Sequence, residues 1–224
     1  MPISQVKLDF STLPKVEYAH TFMCLSKDLE ERLAPLKKVS ARLHNSLRFS
    51  YMSRFKEAKD LYCKEDNVQN MREGLMRAAL VEFASIEDIL SIDLYEIGLK
   101  HKPIKIRETN RPHLHLFKEL RNHEIHLSPS KLTPFIKKIV LGNLKEIDKD
   151  TEHNCTFWKL DGVTIESFSS LKNAKSYSGE QISKMIHWFN INQKEWGVHE
   201  LFLITVEDYC RIILNLLTKT ERGE

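Results

Sequence analysis

Arg121, Asn122 and His126 are the residues of this chain whose types and spacing best suit bond-making chemistry. They lie in the segment Phe117-Lys118-Glu119-Leu120-Arg121-Asn122-His123-Glu124-Ile125-His126. Histidine titrates near neutral pH and suits proton transfer, while arginine stays charged and offers a planar fork of donors that grips a phosphate. Together they match what cleavage of an RNA phosphodiester asks for. The ribose 2′-hydroxyl attacks the adjacent phosphate once one group removes its proton and another steadies the added negative charge. That route requires no metal, and no cofactor is expected. On an ideal helix Asn122 and His126 share a face at i, i+4, whereas Arg121 and His126 stand about 140° apart. Their convergence therefore needs fraying of the last turn, the reach of the arginine, or a second subunit.

The elements that must hold these residues are readable from apolar spacing. Leu36, Val39, Leu43, Leu47, Tyr51, Phe55, Ala58 and Tyr62 recur every three or four residues and predict an amphipathic helix over 35–62. Met76, Ala79, Leu80, Phe83, Ile86, Leu90, Leu94 and Ile97 predict a second over 70–97, with Gly98 as its stop. A third opens near Asn110, tolerates Pro112 in its first turn, and ends at 126–128 because Pro129 disfavours helix in the residue before it. The candidate residues thus fall at a helix C-terminus.

Downstream, Thr133 and Pro134 read as the cap and first turn of a helix to about 147. The runs 155–160 and 163–168 flank Asp161-Gly162 as a β-hairpin, a small insertion. Ser178 with Gln181 fits a capping box for a helix to about 191, and Leu201, Ile204, Tyr209, Ile212, Ile213 and Leu216 predict a long closing helix. The expectation is one mainly all-α domain over 1–224: a core over about 35–150, the hairpin over about 155–168, and C-terminal helices over about 178–219.

Composition narrows the function classes. A chain of 224 residues is long enough to bury its own core without staples. It has no apolar run approaching the roughly 18 residues of a membrane span, and Gln5, Lys7 and Asp9 interrupt the stretch a secretory signal would need. A cytoplasmic protein without membrane contact is expected. Cys24, Cys63, Cys155 and Cys210 show no paired spacing and read as reduced thiols. No two glycines stand close enough for a phosphate-cradling loop, which argues against ATP hydrolysis. His123-Glu124-Ile125-His126 is one residue short of the zinc-protease signature, so no metal site is assigned to it.

Arg121-Asn122-x3-His126, on a helix that ends before Pro129 and follows a long amphipathic helix, resembles the motif of the HEPN family (higher eukaryotes and prokaryotes nucleotide-binding). That family carries Arg-x4–6-His, very often with Asn, Asp or His directly after the Arg, at a helix end in an up-and-down bundle. The resemblance covers about 70–128. It implies an up-and-down helical bundle of HEPN type and an RNA-cleaving endoribonuclease. It assigns His126 to proton transfer, Arg121 to phosphate charge, and Asn122 to orienting a partner or substrate. It also implies a homodimer that brings two motifs into one cleft, a place in toxin–antitoxin, antiviral-defence or RNA-processing systems, and an antitoxin or other regulatory partner. Members tend to carry a polar or acidic residue on the preceding helix, for which Glu82 or Ser85 is the candidate. Many relatives are non-catalytic modules that hold a nucleotide or a partner protein through the same cleft, and that alternative stays open.

Other features have plainer readings beside the functional ones. Lys37, Lys38, Arg42 and Arg48 stand on the polar side of the 35–62 helix and are the candidate RNA-backbone contacts, although such a face is often only solvated. His113, His115 and His123 with His126, and Glu119 or Glu124, offer metal-ligand chemistry at spacings that fit no standard site. Cations at a helix C-terminus also satisfy its last carbonyls and complement its dipole.

Overall fold

The computed structural model describes residues 6–16, 25–54, 65–99, 103–126, 130–140 and 152–221. Seven α-helices are described: α1 (Lys27–Leu33), α2 (Lys37–Arg54), α3 (Glu65–Glu96), α4 (Pro112–His126), α5 (Ile165–Ser169), α6 (Gly179–Trp196) and α7 (Val198–Glu221). One antiparallel pair, β1 (Lys131–Val140) and β2 (Glu152–Asp161), makes the only sheet among the described residues. The fold is mostly helical, and none of the described helices is long and apolar enough to cross a membrane.

The two stripes predicted for the first long helices meet each other. Val39, Leu43 and Leu47 of α2 are buried, as are Met76, Ala79, Leu80, Phe83, Ile86, Leu90 and Leu94 of α3, and these helices form the most extensive pairing in the fold. The 35–62 prediction is met as far as Arg54; Phe55, Ala58 and Tyr62 lie outside the described residues. At the far end of α3 the backbone turns left-handed at Gly98 (φ +79°), with Leu99 N–H donating to the Leu94 carbonyl at 2.8 Å and Gly98 N–H to that of Tyr95 at 3.0 Å. A residue with a Cβ adopts that φ only under strain, so Gly98 ends the helix as expected. Ile97, placed at the end of the stripe, is exposed instead.

α4 runs through the middle of the bundle, touching α3, α5, α6 and α7. Leu114, Leu116, Phe117 and Leu120 are all fully buried, although they do not share one face of a helix. A helix buried along most of its length must satisfy the polar groups it encloses, and α4 also buries His113, His115, Glu119, His123 and Glu124. α6 opens with the capping box expected of Ser178 and Gln181, and α7 packs Leu201, Phe202, Val206, Tyr209 and Ile213 into the core.

The region after α4 departs from its prediction. Residues 131–140 form strand β1, not a helix capped by Thr133. Phe135, Ile136, Ile139 and Val140 are bulky or β-branched residues suited to a pleated surface, and Pro134 is tolerated because each strand of a two-stranded sheet is an edge. The partner of 155–160 is therefore upstream: Leu132 faces Leu160, Pro134 faces Trp158 and Phe135 faces Phe157. The second predicted strand, 163–168, is largely helix α5, which Thr164 and Ser167 cap reciprocally. Asp161-Gly162 closes β2 and leads into α5, with Gly162 at φ +96°. Nor is the hairpin a loose insertion. The Gln193 side chain of α6 accepts from Leu160 N–H at 2.8 Å and donates to Leu160 O at 3.1 Å, so the strand edge is bound to the bundle as a further strand would bind it.

Candidate functional site

Arg121 and Asn122 lie in the second half of α4, where burial gives way to partial exposure. The Arg121 Nη1 donates to Asn122 Oδ1 at 2.9 Å, and Asn122 Nδ2 donates to Glu119 Oε2 at 2.8 Å. The three side chains form one directed chain on a single helical turn. Arg121 Nε is buried and has no partner among the described residues. Such a donor is expensive to leave unmade, and it is half of the two-donor edge with which an arginine takes a phosphate. The His126 backbone ends α4, four residues after Asn122, so the pair keeps the i, i+4 relation; the His126 side chain lies outside the described residues.

Glu119 is the residue that motif reading passed over as a site member. It is 3 % exposed, and burial pushes its carboxyl above the usual glutamate range, against the opposing pull of Asn122, Lys118 and Asn173. The available signal was its position three residues before Asn122, the spacing at which helical side chains meet. Lys118 points elsewhere, to Glu87 of α3, whose other oxygen accepts from Ile106 N–H at 2.9 Å. The acid that α3 presents to α4 is therefore Glu87. Glu82 instead receives Arg42 of α2, and the Ser85 hydroxyl donates to the Glu82 carbonyl at 2.7 Å.

His113, His115 and His123 do not converge. His113 Nε2 pairs with Asp208 of α7 at 3.0 Å. His115 lies between the Tyr177 hydroxyl, 3.0 Å from Nδ1, and the Thr109 carbonyl, 3.0 Å from Nε2; burial lowers its pKa to about 4, so the ring is neutral, donating to the carbonyl and accepting from the phenol. His123 meets Glu124 and the Ser167 hydroxyl, each at 3.1 Å, and Glu124 also accepts from Ser130 N–H at 3.0 Å. Among the described residues no group of three His, Cys, Asp or Glu side chains is placed to hold a metal ion. Glu119 and Glu124 are hydrogen-bonded acids of the helix.

The four candidate backbone contacts of α2 divide in two. Lys38 pairs with Glu96, and Arg42 reaches both oxygens of Glu82 at 2.8 and 2.9 Å, so both point toward α3. Lys37 and Arg48 instead line an open groove of about 830 Å³ between α1 and α2, together with His44, Asn45 and Tyr51. Of the cysteines, Cys155 and Cys210 are free thiols, the latter buried; Cys24 and Cys63 lie outside the described residues.

No family model matches this chain, and neither a curated protein nor a solved structure matches it. The likeness to HEPN proteins accordingly rests on Arg121, Asn122, His126 and their place at the end of α4.

Proposed function

We propose that the protein is an endoribonuclease of HEPN type, built on an up-and-down bundle and acting in the cytoplasm as a homodimer, as a toxin or antiviral effector under the control of a partner protein. One observation carries the reading: Arg121 is tethered through Nη1 while its Nε has no partner among the described residues, five residues before the His126 position. A fixed guanidinium with a donor to spare suits a phosphate whose charge rises during reaction. His126 removes the 2′-hydroxyl proton, the 2′-oxygen bonds to phosphorus, and the bond from phosphorus to the 5′-oxygen breaks. A protonated imidazole returns a proton to the leaving 5′-oxygen. The products are a 2′,3′-cyclic phosphate and a 5′-hydroxyl.

The deciding experiment incubates the full chain and its His126→Ala variant with mixed cellular RNA in excess EDTA, and analyses the ends produced. Cyclic-phosphate ends from the wild type alone support the reading; equal cleavage by the variant overturns it. The near-complete burial of Arg121 Nε favours a second reading, a non-catalytic module holding a nucleotide or a protein at the same place. In that case nucleotides raise the melting temperature while RNA stays intact.

A further inference from the structure

We infer that Glu119 is the positioning residue of the α4 site: as a carboxylate it fixes which way round the Asn122 amide sits, and through that amide it aims the Arg121 guanidinium. The consequence for catalysis rests on the nuclease reading above; the hydrogen-bond direction does not.

The argument is one of donor and acceptor inventory. A carboxylate only accepts and a guanidinium only donates, so the amide between them must turn its NH₂ to Glu119 and its oxygen to Arg121. The observed chain has that polarity at both joints, 2.8 Å and 2.9 Å. Turning the amide round would set two donors face to face at Arg121 and two acceptors face to face at Glu119. A neutral carboxyl or a carboxamide at 119 brings a donor of its own, tolerates either amide orientation, and leaves the choice between them to Arg121 alone. The surroundings support a carboxylate by hydrogen bonding: Asn173, in the short 3-10 turn Lys172–Ser176 ahead of α6, bonds to the same carboxyl. Glu119 thereby ties α4 to a second element. The charged and titratable groups around it are Lys118, engaged by Glu87 of α3, and Tyr177, whose hydroxyl is held at 3.0 Å by the neutral His115. None of them displaces Asn122 from the carboxylate.

The test compares the full-length protein with Glu119→Gln, which keeps shape and loses the acceptor-only character, and Glu119→Asp, which keeps that character. The Asn122 side-chain amide signals are followed by NMR between pH 4 and pH 8. In the wild type they shift with a midpoint above the ordinary glutamate range; in Glu119→Gln that titration is gone; in Glu119→Asp it is retained. In RNA cleavage, Glu119→Gln lowers kcat about fivefold or more with KM changed less than about twofold, and Glu119→Asp recovers part of the loss. Asn122 signals that are the same in Glu119→Gln and wild type at every pH overturn the inference. So does unchanged kcat in Glu119→Gln alongside an inactive His126→Ala. A wild type that cuts no RNA removes the nuclease reading alone, and the amide signals then decide the role of Glu119 by themselves.

Discussion

Two polar clusters among the described residues each link an arginine to an acid, one where α2 meets α7 and one at the end of α4, and they differ in what is left over. Where α2 meets α7, Arg54 donates to Glu200 at 3.0 Å, the Trp158 indole N–H donates to the Arg54 carbonyl at 3.2 Å, and His199 Nε2 sits 2.7 Å from the Ser53 hydroxyl. A serine beside a histidine invites a nucleophile reading, but the Ser53 proton goes to the Ser50 carbonyl at 2.7 Å, which leaves the ring donating to the hydroxyl and not acting on it as a base. Ser53, His199 and Glu200 are buried beyond the reach of any substrate. At the end of α4, by contrast, the chain of Glu119, Asn122 and Arg121 runs from the core outward to partly exposed side chains and leaves one buried donor, Arg121 Nε, without a partner among the described residues. A closed polar cluster joins helices; an open one has capacity for a ligand.

The sharpest way to break this comparison is a pair of variants expected to fail in opposite ways. Arg121→Ala should lower RNA cleavage about 100-fold or more, the usual scale for losing one charge-stabilising donor. It should change stability by less than about 1 kcal/mol, since the side chain it removes is only half-buried. Arg121→Lys should rescue little, because an ammonium lacks the two-donor edge. Initial rates of cleavage and urea unfolding of the same preparations measure both effects. Intact activity in Arg121→Ala would place the end of α4 with the closed clusters.

Glu200→Ala is the converse. It leaves the Arg54 guanidinium, 13 % exposed, without its acid, and stranding a buried charge in this way costs about 3 kcal/mol or more. The expected outcome is a large fall in the urea midpoint with cleavage per folded molecule unchanged; a stable but inactive variant would mean that the α2–α7 cluster belongs to the site.

Much of this comparison was legible in the sequence, for reasons that particular residues show. The α3 stripe, the Gly98 stop, Pro112 in the first turn of α4 and the Ser178–Gln181 box are local signals, and local signals survive folding. The stretch 131–140 was misread because Thr133-Pro134 is as good a helix opening as it is an edge-strand start. What decided it was pairing with β2 across 28 residues, as in Thr133 to Asp161 at 2.5 Å, a contact that no window of local periodicity contains. The same limit explains the site. Arg121, Asn122 and His126 could be proposed together because the motif is contiguous. The separate fates of Lys38 and Arg42 were not, since their acids, Glu96 and Glu82, lie 58 and 40 residues away on the next helix.

Acid should separate the two regions next. Burial lowers His199 to about 3 and His115 to about 4, against an ordinary value of 6.5. Both rings are neutral in the folded protein and take up protons on unfolding once the pH falls below 6.5. Their stabilisation is therefore fully present above that pH and is lost progressively as the pH drops toward 4. Each contributes a slope of up to about 1.4 kcal/mol per pH unit. Glu119 acts in the opposite sense, its raised pKa favouring the fold at low pH. His199→Gln, which keeps a donor toward Ser53, should flatten the pH dependence of the urea midpoint between pH 6.5 and pH 5 by about half. An unchanged slope would show that His199 does not titrate in this way.

The smallest effects are expected on the outer face of α2, where the comparison can be repeated within a single helix. Lys37 and Arg48 line the groove beside α1, while Lys38 and Arg42 are engaged by acids of α3. An arginine already paired with a carboxylate gives up that pairing before it can neutralise a phosphate, so it releases little net counterion on binding. If RNA runs along this face, Lys37→Ala and Arg48→Ala should each weaken retention modestly and reduce the salt dependence of binding by about one phosphate contact. Arg42→Ala should leave that slope unchanged and lower stability by less than about 1 kcal/mol, because a half-exposed ion pair is screened. Binding of a short single-stranded RNA at several salt concentrations measures all three. Equal slopes in all the variants would show that RNA does not follow α2, and would leave the end of α4 as the place where phosphate is held.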